Sequence, residues 1–261
     1  MTATPTMTTR SFKAHDGVVI AFHEWNDSAG GVPVVLHHGF AADTVSNWVT
    51  PSIVAKITET GRRVISIDAR GHGLSGKPTE SAAYADGAMV RDLGAMFDHL
   101  GLERVDLVGY SMGGYVVLDT ATSDARLRSV VIGGIGAQAI EGGMRSRAHV
   151  ADALVVDDAA TISDPIARGF REFAESTGGD RFALAAAMRA GSRVIEHPER
   201  VTVPALVLVG EFDELVQRPE DLAARIPGSC LVRVRGTHNG VVLKDAFAQA
   251  ILDFLTSVQE L

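Results

Sequence analysis

The chain has 261 residues, a length that fits one large α/β domain or two small ones. Hydrophobic residues make up 46% of it and charged residues 21%, a globular composition that excludes a disordered chain. The net charge of −8 disfavours a nucleic-acid partner, because a basic face would be needed to bind phosphates. Cys230 is the only cysteine, which excludes an intrachain disulfide and a cysteine-based zinc site.

The first residues carry no targeting pattern. The start, MTATPTMTTRSF, lacks the basic segment followed by an apolar segment that marks a secretory signal. No apolar run approaches the roughly 18 residues of a membrane span. We therefore expect a cytoplasmic protein with a short frayed N-terminus and no membrane span.

Short apolar runs alternate with helical patterns along most of the chain, which predicts a sheet that is mostly parallel. Residues 11–25 differ, because His15-Asp16-Gly17 lies between two apolar alternations and predicts an antiparallel hairpin at the sheet edge. Buried strands are predicted at 32–36, 63–67, 104–108, 127–132, 205–209 and 229–234. Helices are predicted at 87–100, with Gly101 ending it, and at 245–258.

Residues 137–200 interrupt this alternation. The segment has no strand-like run and is rich in Ala, Arg and Asp, so we expect it to be helical. Because it leaves the sheet and returns to it, we predict a small lid over one end of a core formed by residues 1–136 and 201–261. A separate second domain is the weaker interpretation.

The sequence GYSMGG at residues 109–114 follows an apolar strand and precedes a helical segment, the context in which G-x-S-x-G forms a sharp turn. Gly109 and Gly113 are then required because the chain passes too close to itself for side chains. The turn presents the hydroxyl of Ser111 above the carboxyl ends of the strands, and the N–H of Met112 can bind an oxyanion there.

A serine hydroxyl needs a base, and the base needs an orienting acid. His238 follows the last predicted strand and precedes the last helix, so its loop opens at the same end of the sheet as Ser111. Asp213 lies just past another strand end, with Glu211 and Glu214 as competitors for the same role. We predict a triad of Ser111, His238 and Asp213, in the chain order Ser, Asp, His.

Four separated motifs give the chain a resemblance to the α/β-hydrolase fold family. They are HHGF at 37–40, DARGHGLS at 68–75, GYSMGG at 109–114, and the pair GEFDELV at 210–216 and GTHNG at 236–240. The resemblance covers residues of about 12–136 and 201–257. It implies a mostly parallel eight-stranded sheet with an N-terminal antiparallel hairpin, helices on both faces and a small helical lid.

The resemblance also implies roles for individual residues. Phe40 would supply the second N–H of an oxyanion hole, beside Met112, and His38 would hold the loop that carries Phe40. In the 68–75 motif we expect hydrogen bonds that tie loops together, from Asp68, Arg70, His72 and Ser75. Asp68 as the triad acid is the weaker interpretation, because the family's acid follows a later strand.

The nucleophile position of the family is occupied by serine in this chain and not by aspartate. A serine there favours acyl transfer to water from an ester, thioester or lactone, or hydrolytic carbon–carbon cleavage of a diketone-type substrate. Ala41 stands where haloperoxidase relatives carry proline, which argues against perhydrolysis. A ligand receptor that keeps a hydrolase fold is an alternative from another class, and no feature indicates the acceptor that an acyltransferase would need.

The expected partner is a small apolar acyl substrate, with neither cofactor nor metal. Side chains predicted to line its pocket are Trp48, Tyr110, Met144, Phe170 and Phe173. Other apolar residues of the lid, Leu154, Phe182 and Met188 among them, could also line it, although residues at helical spacing more often pack against the sheet.

Overall fold

The computed structural model describes residues 6–142 and 147–259. Eight strands form one sheet. They are β1 (Thr8–Lys13), β2 (Val19–Trp25), β3 (Val34–His37), β4 (Val64–Ile67), β5 (Val105–Tyr110), β6 (Leu127–Gly133), β7 (Ala205–Gly210) and β8 (Cys230–Val234). Their spatial order is β1-β2-β4-β3-β5-β6-β7-β8.

Helices connect most of the strands. They are α1 (Ile53–Glu59), α2 (Ala88–His99), α3 (Met112–Ala121), α4 (Gln138–Glu141), α5 (Arg147–Val155), α6 (Pro165–Ser176), α7 (Arg181–Ala190), α8 (Pro219–Arg225), α9 (His238–Val241) and α10 (Asp245–Ser257). Short π or 3₁₀ turns lie at Val45–Val49, Ser81–Tyr84, Ala159–Thr161 and Pro198–Arg200.

The predicted N-terminal hairpin is confirmed and begins at Thr8. Strands β1 and β2 pair antiparallel, and β2 pairs antiparallel with β4, whereas the remaining pairs are parallel. Gly17 takes φ +85° in the turn, where glycine meets no steric penalty. The sheet is therefore mixed at one edge and parallel elsewhere.

The core lies in two layers, one on each face of the sheet. Alternate residues of a strand point to opposite faces, so Val35 packs with Leu93 and Phe97 of α2, whereas Val34 and Leu36 belong to the layer under α1 and α10. Both faces are covered, which explains why the central strands are continuously apolar in sequence.

Residues 137–200 form mainly helices, and their described part contains no strand. A third apolar cluster holds α5, α6 and α7 together, with Leu154, Leu184 and Met188 among its members, and it reaches Ala41 in the loop after β3. This segment therefore packs on the sheet edge at which the parallel strands end. Within residues 6–142 and 147–259, the helices are too short or too polar to cross a bilayer.

Candidate active site

Ser111 lies at a sharp turn between β5 and α3. Its φ of 53° and ψ of −112° are outside the usual regions for a residue with a side chain, and its N–H donates to Gly133 O at 2.8 Å. A Cβ on Gly109 would lie 2.2 Å from Gly113 O, and one on Gly113 would lie 2.0 Å from His37 O. Both positions therefore require glycine, as the sequence predicted.

The structure brings Ser111, His238 and Asp213 together in one chain of hydrogen bonds. Ser111 Oγ lies 2.9 Å from His238 Nε2, and His238 Nδ1 lies 2.7 Å from Asp213 Oδ2. The carboxylate can only accept, so Nδ1 carries the ring proton and Nε2 is free to accept from the hydroxyl. The side chain of Asp213 is fully buried and that of His238 is 13% exposed, so the pair is shielded from water while Nε2 faces the cavity.

The competing acids do not reach the imidazole. Glu211 and Glu214 are exposed, whereas Asp213 also accepts the N–H of Leu215 at 3.0 Å through Oδ1. Asp68 bonds to His23 instead, at 3.2 Å. Within the described residues, Asp213 alone of the four is hydrogen-bonded to His238.

Tyr110 positions His238 and does not line the pocket, which corrects the sequence prediction. Its hydroxyl donates to His238 O at 2.5 Å, and its ring lies 5.2 Å from the imidazole. Burial raises the pKa of the phenol well above its usual value of 10. Tyr110 is therefore a neutral donor that fixes the backbone of His238 from behind.

The residues that carry the two predicted oxyanion amides, Phe40 and Met112, lie beside Ser111. Met112 is the first residue of α3, where an N–H has no partner within the helix. Phe40 lies in a turn closed by Ala42 N–H to Gly39 O at 3.3 Å, in which Ala41 takes φ +59°. Neither amide donates to a protein acceptor within the described residues, and both residues line the same cavity as Ser111 and His238. Proline at position 41 could not adopt this φ.

His38 and Asn47 fix the peptide that carries the Phe40 amide. The Nδ1 of His38 donates to Gly39 O at 2.7 Å, and its Nε2 accepts from Ala69 N at 3.0 Å. Because C=O and N–H point in opposite directions across a trans peptide, the bond to Gly39 O directs the Phe40 N–H away from His38. Asn47 Oδ1 accepts the Gly39 N–H at 2.8 Å. Sequence reasoning missed Asn47, since a polar residue in a short turn gives no signal of its own.

A cavity of about 420 Å³ lies against Ser111 and His238. Of the predicted pocket residues, Phe170 lines it, and its ring packs edge-on against that of Phe40. Trp48 is fully buried in the layer under α1, because its ring completes that core, and Phe173 is half-buried in the core of the α5–α7 segment. Neither belongs to the cavity wall. Met144 lies outside the described residues.

Comparison with known proteins agrees with this architecture. A model of the α/β hydrolase fold matches residues 32–138. A hydrolase from Pseudomonas aeruginosa PA01 superimposes with a TM-score of 0.76 and 23% identity, covering 95% of this chain and 98% of the other. The chain has the α/β-hydrolase fold. The predicted fold is confirmed, and the match to the family model supports the resemblance found in the sequence.

Two further proteins show how diverse the neighbours of this chain are. An enol-lactonase from Burkholderia xenovorans LB400 has a TM-score of 0.73 and 23% identity, covering 95% of this chain and all of that one (100%). A 2-hydroxymuconate semialdehyde hydrolase from Pseudomonas sp. (strain CF600) is 34% identical over 110 residues, 42% of this chain and 38% of the relative. Of the first three curated relatives that it matches, the chain spans 23%, 38% and 44% of the length.

The loop of residues 68–75 ties the site to the sheet. Asp68 accepts the N–H groups of Thr44 and Leu74, at 3.0 and 2.8 Å, and Ser75 Oγ accepts from Ala21 N at 2.8 Å. Arg70 is fully buried between Asp16 and Asp92. His72 donates from Nδ1 to Arg70 O at 2.9 Å, and burial lowers its pKa to about 3. These contacts hold neighbouring loops and strands together, which is a structural role.

Much of the cavity wall comes from residues that sequence analysis did not single out. Tyr84 and Met89 reach it from the segment before α2 and from α2 itself, and Asp119 reaches it from α3. Gln138 holds the loop after β7, donating to Leu215 O at 3.0 Å and accepting from Gln217 N at 3.1 Å. The apolar spacing of α2 indicated a buried face, but which part of that face meets the cavity depends on where the α5–α7 segment packs.

Proposed function

We propose that this protein is a serine hydrolase that cleaves a carboxylic ester, thioester or lactone of a small apolar substrate through an acyl-enzyme. One observation carries the proposal: Ser111 Oγ, His238 and Asp213 are joined by hydrogen bonds of 2.9 and 2.7 Å beside two amides without a protein acceptor. The α/β-hydrolase fold, with neighbours named hydrolase and lactonase, supports the same class of enzyme.

The first half of the reaction forms the acyl-enzyme. His238 takes the proton of Ser111 through Nε2 while Oγ attacks the substrate carbonyl carbon, and the carbonyl oxygen gains negative charge. The N–H groups of Phe40 and Met112 stabilise that charge, a contribution worth about 10²–10³ in turnover for each donor. The protonated His238 then gives its proton to the leaving oxygen or sulfur, and the acyl group stays on Ser111.

Water completes the reaction in the second half. His238 takes a proton from a water molecule that attacks the acyl carbon, and the same two amides hold the second oxyanion. Oγ leaves with the proton from His238, and the carboxylic acid is released. Asp213 keeps Nδ1 protonated throughout, so Nε2 remains the catalytic nitrogen. Every proton moves among the chain, the substrate and water, so this scheme requires neither cofactor nor metal.

Hydrolytic carbon–carbon cleavage is the second candidate. The relative with 34% identity is named for a semialdehyde substrate and not for an ester, and the matched segment includes part of this chain only. The same serine, base and amides could serve such a bond, with a carbon leaving group in place of oxygen.

We further propose that residues 137–200 act as a lid on a core of residues 1–136 and 201–261. Phe170 of α6 touches Phe40, and Thr177 Oγ1 donates to Ala41 O at 2.7 Å, so this segment contacts the loop that carries an oxyanion donor. The lid would exclude water and set the shape of the substrate pocket.

Turnover of p-nitrophenyl acetate tests the activity. The wild-type protein should release p-nitrophenol continuously over many turnovers, whereas a ligand receptor would stop after about one. Ser111→Ala should retain its circular dichroism spectrum and lose activity by up to about 10⁶. Ser123→Ala, at an exposed turn, is the matched control and should behave as wild type. More than a tenth of wild-type activity in Ser111→Ala would refute the proposal.

A further inference from the structure

The cavity beside Ser111 is long in one direction. Five of its wall residues are Ser111 and four residues of α3: Met112, Tyr115, Val116 and Asp119. Their spacing of three and four places them on one face of the helix. At a rise of 1.5 Å per residue, the eight steps from Ser111 to Asp119 span about 12 Å. The cavity therefore follows α3 for two turns.

The middle of this cavity is apolar. Val116 forms its floor on α3, and the facing side chains come from α2, from α7 and from the segment after α7. They are Met89, Val90, Ala187, Met188 and Ile195. An aliphatic chain placed there would leave water without burying a polar group, which favours an apolar occupant.

An ion pair stands at the far end. Arg193 donates to both oxygens of Asp119, from Nε at 2.8 Å and from Nη2 at 2.6 Å. Asp119 is 8% exposed, and a Cβ on Gly87 would lie 4.0 Å from Arg193 Cζ. The guanidinium thus joins α3, the start of α2 and the segment after α7. The side chain of Arg193 is 61% exposed, so carbons that extended past the pair would leave the apolar wall and gain little burial.

The direction of the substrate follows from the proton transfers. The leaving group must lie where His238 Nε2 can protonate it. The part of the cavity next to Asp119 lies about two helical turns from Ser111, whereas His238 Nε2 lies 2.9 Å from Ser111 Oγ. We therefore assign the part of the cavity along α3 to the acyl group and the space beside His238 to the leaving group.

We propose that the preferred acyl group is an unbranched aliphatic chain of roughly eight to ten carbons, lying along α3 from Ser111 to the Asp119–Arg193 pair. The estimate divides the 12 Å of helix by the advance of roughly 1.3 Å per bond in an extended carbon chain. It rests on the proposed function, because the chain length is defined from the acyl carbon attached to Ser111.

A series of p-nitrophenyl esters from acetate to dodecanoate tests the wild-type protein. Each methylene that enters the cavity should raise kcat/KM by up to about fourfold, and the increase should stop between octanoate and decanoate. If acetate is hydrolysed best, or if kcat/KM keeps rising to dodecanoate, the chain-length proposal is wrong although the ester hydrolase stands. If no ester is hydrolysed, the proposed function itself fails.

Two variants test whether the acyl chain lies along α3. Val116→Phe narrows the cavity about 7 Å from Ser111, and Ala187→Phe narrows it from the facing helix. Each should lower kcat/KM for octanoate at least tenfold more than for acetate. Arg189→Phe is the control, because it adds the same ring to α7 at an exposed position outside the cavity wall, and its octanoate-to-acetate ratio should match wild type.

The folded state of each variant is checked by its thermal unfolding midpoint. Ala187 is half-buried and on the lid side, so its variant tests the cavity even if Val116→Phe does not fold. An unchanged ratio in a folded Ala187→Phe protein would overturn the assignment of the cavity to the acyl chain.

Discussion

His38 and His238 each form hydrogen bonds through both ring nitrogens, but the partners of those nitrogens differ. His38 is fully buried, and its nitrogens bond to Gly39 O and Ala69 N, so protonation would break a backbone hydrogen bond. Burial lowers its pKa accordingly. His238 instead places one nitrogen on a carboxylate and the other on a hydroxyl at the cavity. A proton gained there is stabilised by Asp213, which suits a base.

Replacement of Asp213 tests its proposed role as the acid that orients His238. Asp213→Asn keeps the shape of the side chain but removes the acceptor that holds Nδ1 protonated, so kcat should fall by up to about 10⁴ with KM little changed. Glu214→Gln and Glu211→Gln, at the exposed neighbouring carboxylates, should remain near wild type. Steady-state kinetics decide the matter, and a larger loss in either glutamine variant would move the acid to that residue.

At the scale of the element, the strand–turn–helix at Ser111 is the most tightly constrained part of the chain. The approach of Gly113 to the backbone of His37 brings the loop carrying Phe40 next to the loop carrying Ser111. Phe40 and Met112, whose amides we propose as the oxyanion donors, belong to these two loops. Close contact between the two backbones therefore assembles the site, and side chains at Gly109 and Gly113 would separate the loops.

Gly113→Ala tests that close approach. Its Cβ would meet only backbone atoms, at 2.0, 2.7 and 2.8 Å, none of which can rotate away, so we expect a loss of at least about 2 kcal/mol in the free energy of unfolding. Gly169→Ala is the matched control within α6, since no atom lies within 4 Å, and it should stabilise by about 0.5–1 kcal/mol. Urea titrations measure both, and a Gly113→Ala protein as stable as wild type would contradict the argument.

Sequence predicted the elements whose signal is local. The Asp-Gly turn gave the hairpin, the continuous apolar runs gave the parallel strands, and the glycines around Ser111 gave the turn. Apart from Phe170 and Met188, it did not predict the cavity wall, because Asp119, Arg193 and Met89 meet only when the α5–α7 segment has packed. The sequence predicts Trp48 and Tyr110 in the pocket, whereas the structure buries both side chains in the core layer under α1 and α10.

At the scale of the whole molecule, a cluster of buried histidines makes stability depend on pH. His37, His38 and His72 are buried at the sheet edge, and the His72 Nε2 has no partner within the described residues. Burial lowers the pKa of all three, to about 3 for His37 and His72. The unfolded chain binds protons near pH 6.5 and the folded one does not, so these groups stabilise above pH 6.5 and lose that contribution as the pH falls towards 3.

We expect the free energy of unfolding to fall below pH 6.5 by roughly 1.4 kcal/mol per pH unit for each such histidine. His72→Gln removes one titrating group, so the slope between pH 6 and pH 4.5 should decrease by about that amount. Urea titrations at several pH values compare the two proteins. An identical slope in His72→Gln would show that His72 does not carry a depressed pKa.

The central claim is that Ser111 is the nucleophile of an assembled triad, and covalent labelling tests it most directly. A fluorophosphonate should add one label per chain, and mass spectrometry of the digested protein should place it on Ser111, with labelling abolished in Ser111→Ala and strongly slowed in His238→Ala. An unlabelled wild-type protein, or a label on a residue other than Ser111, would contradict the account.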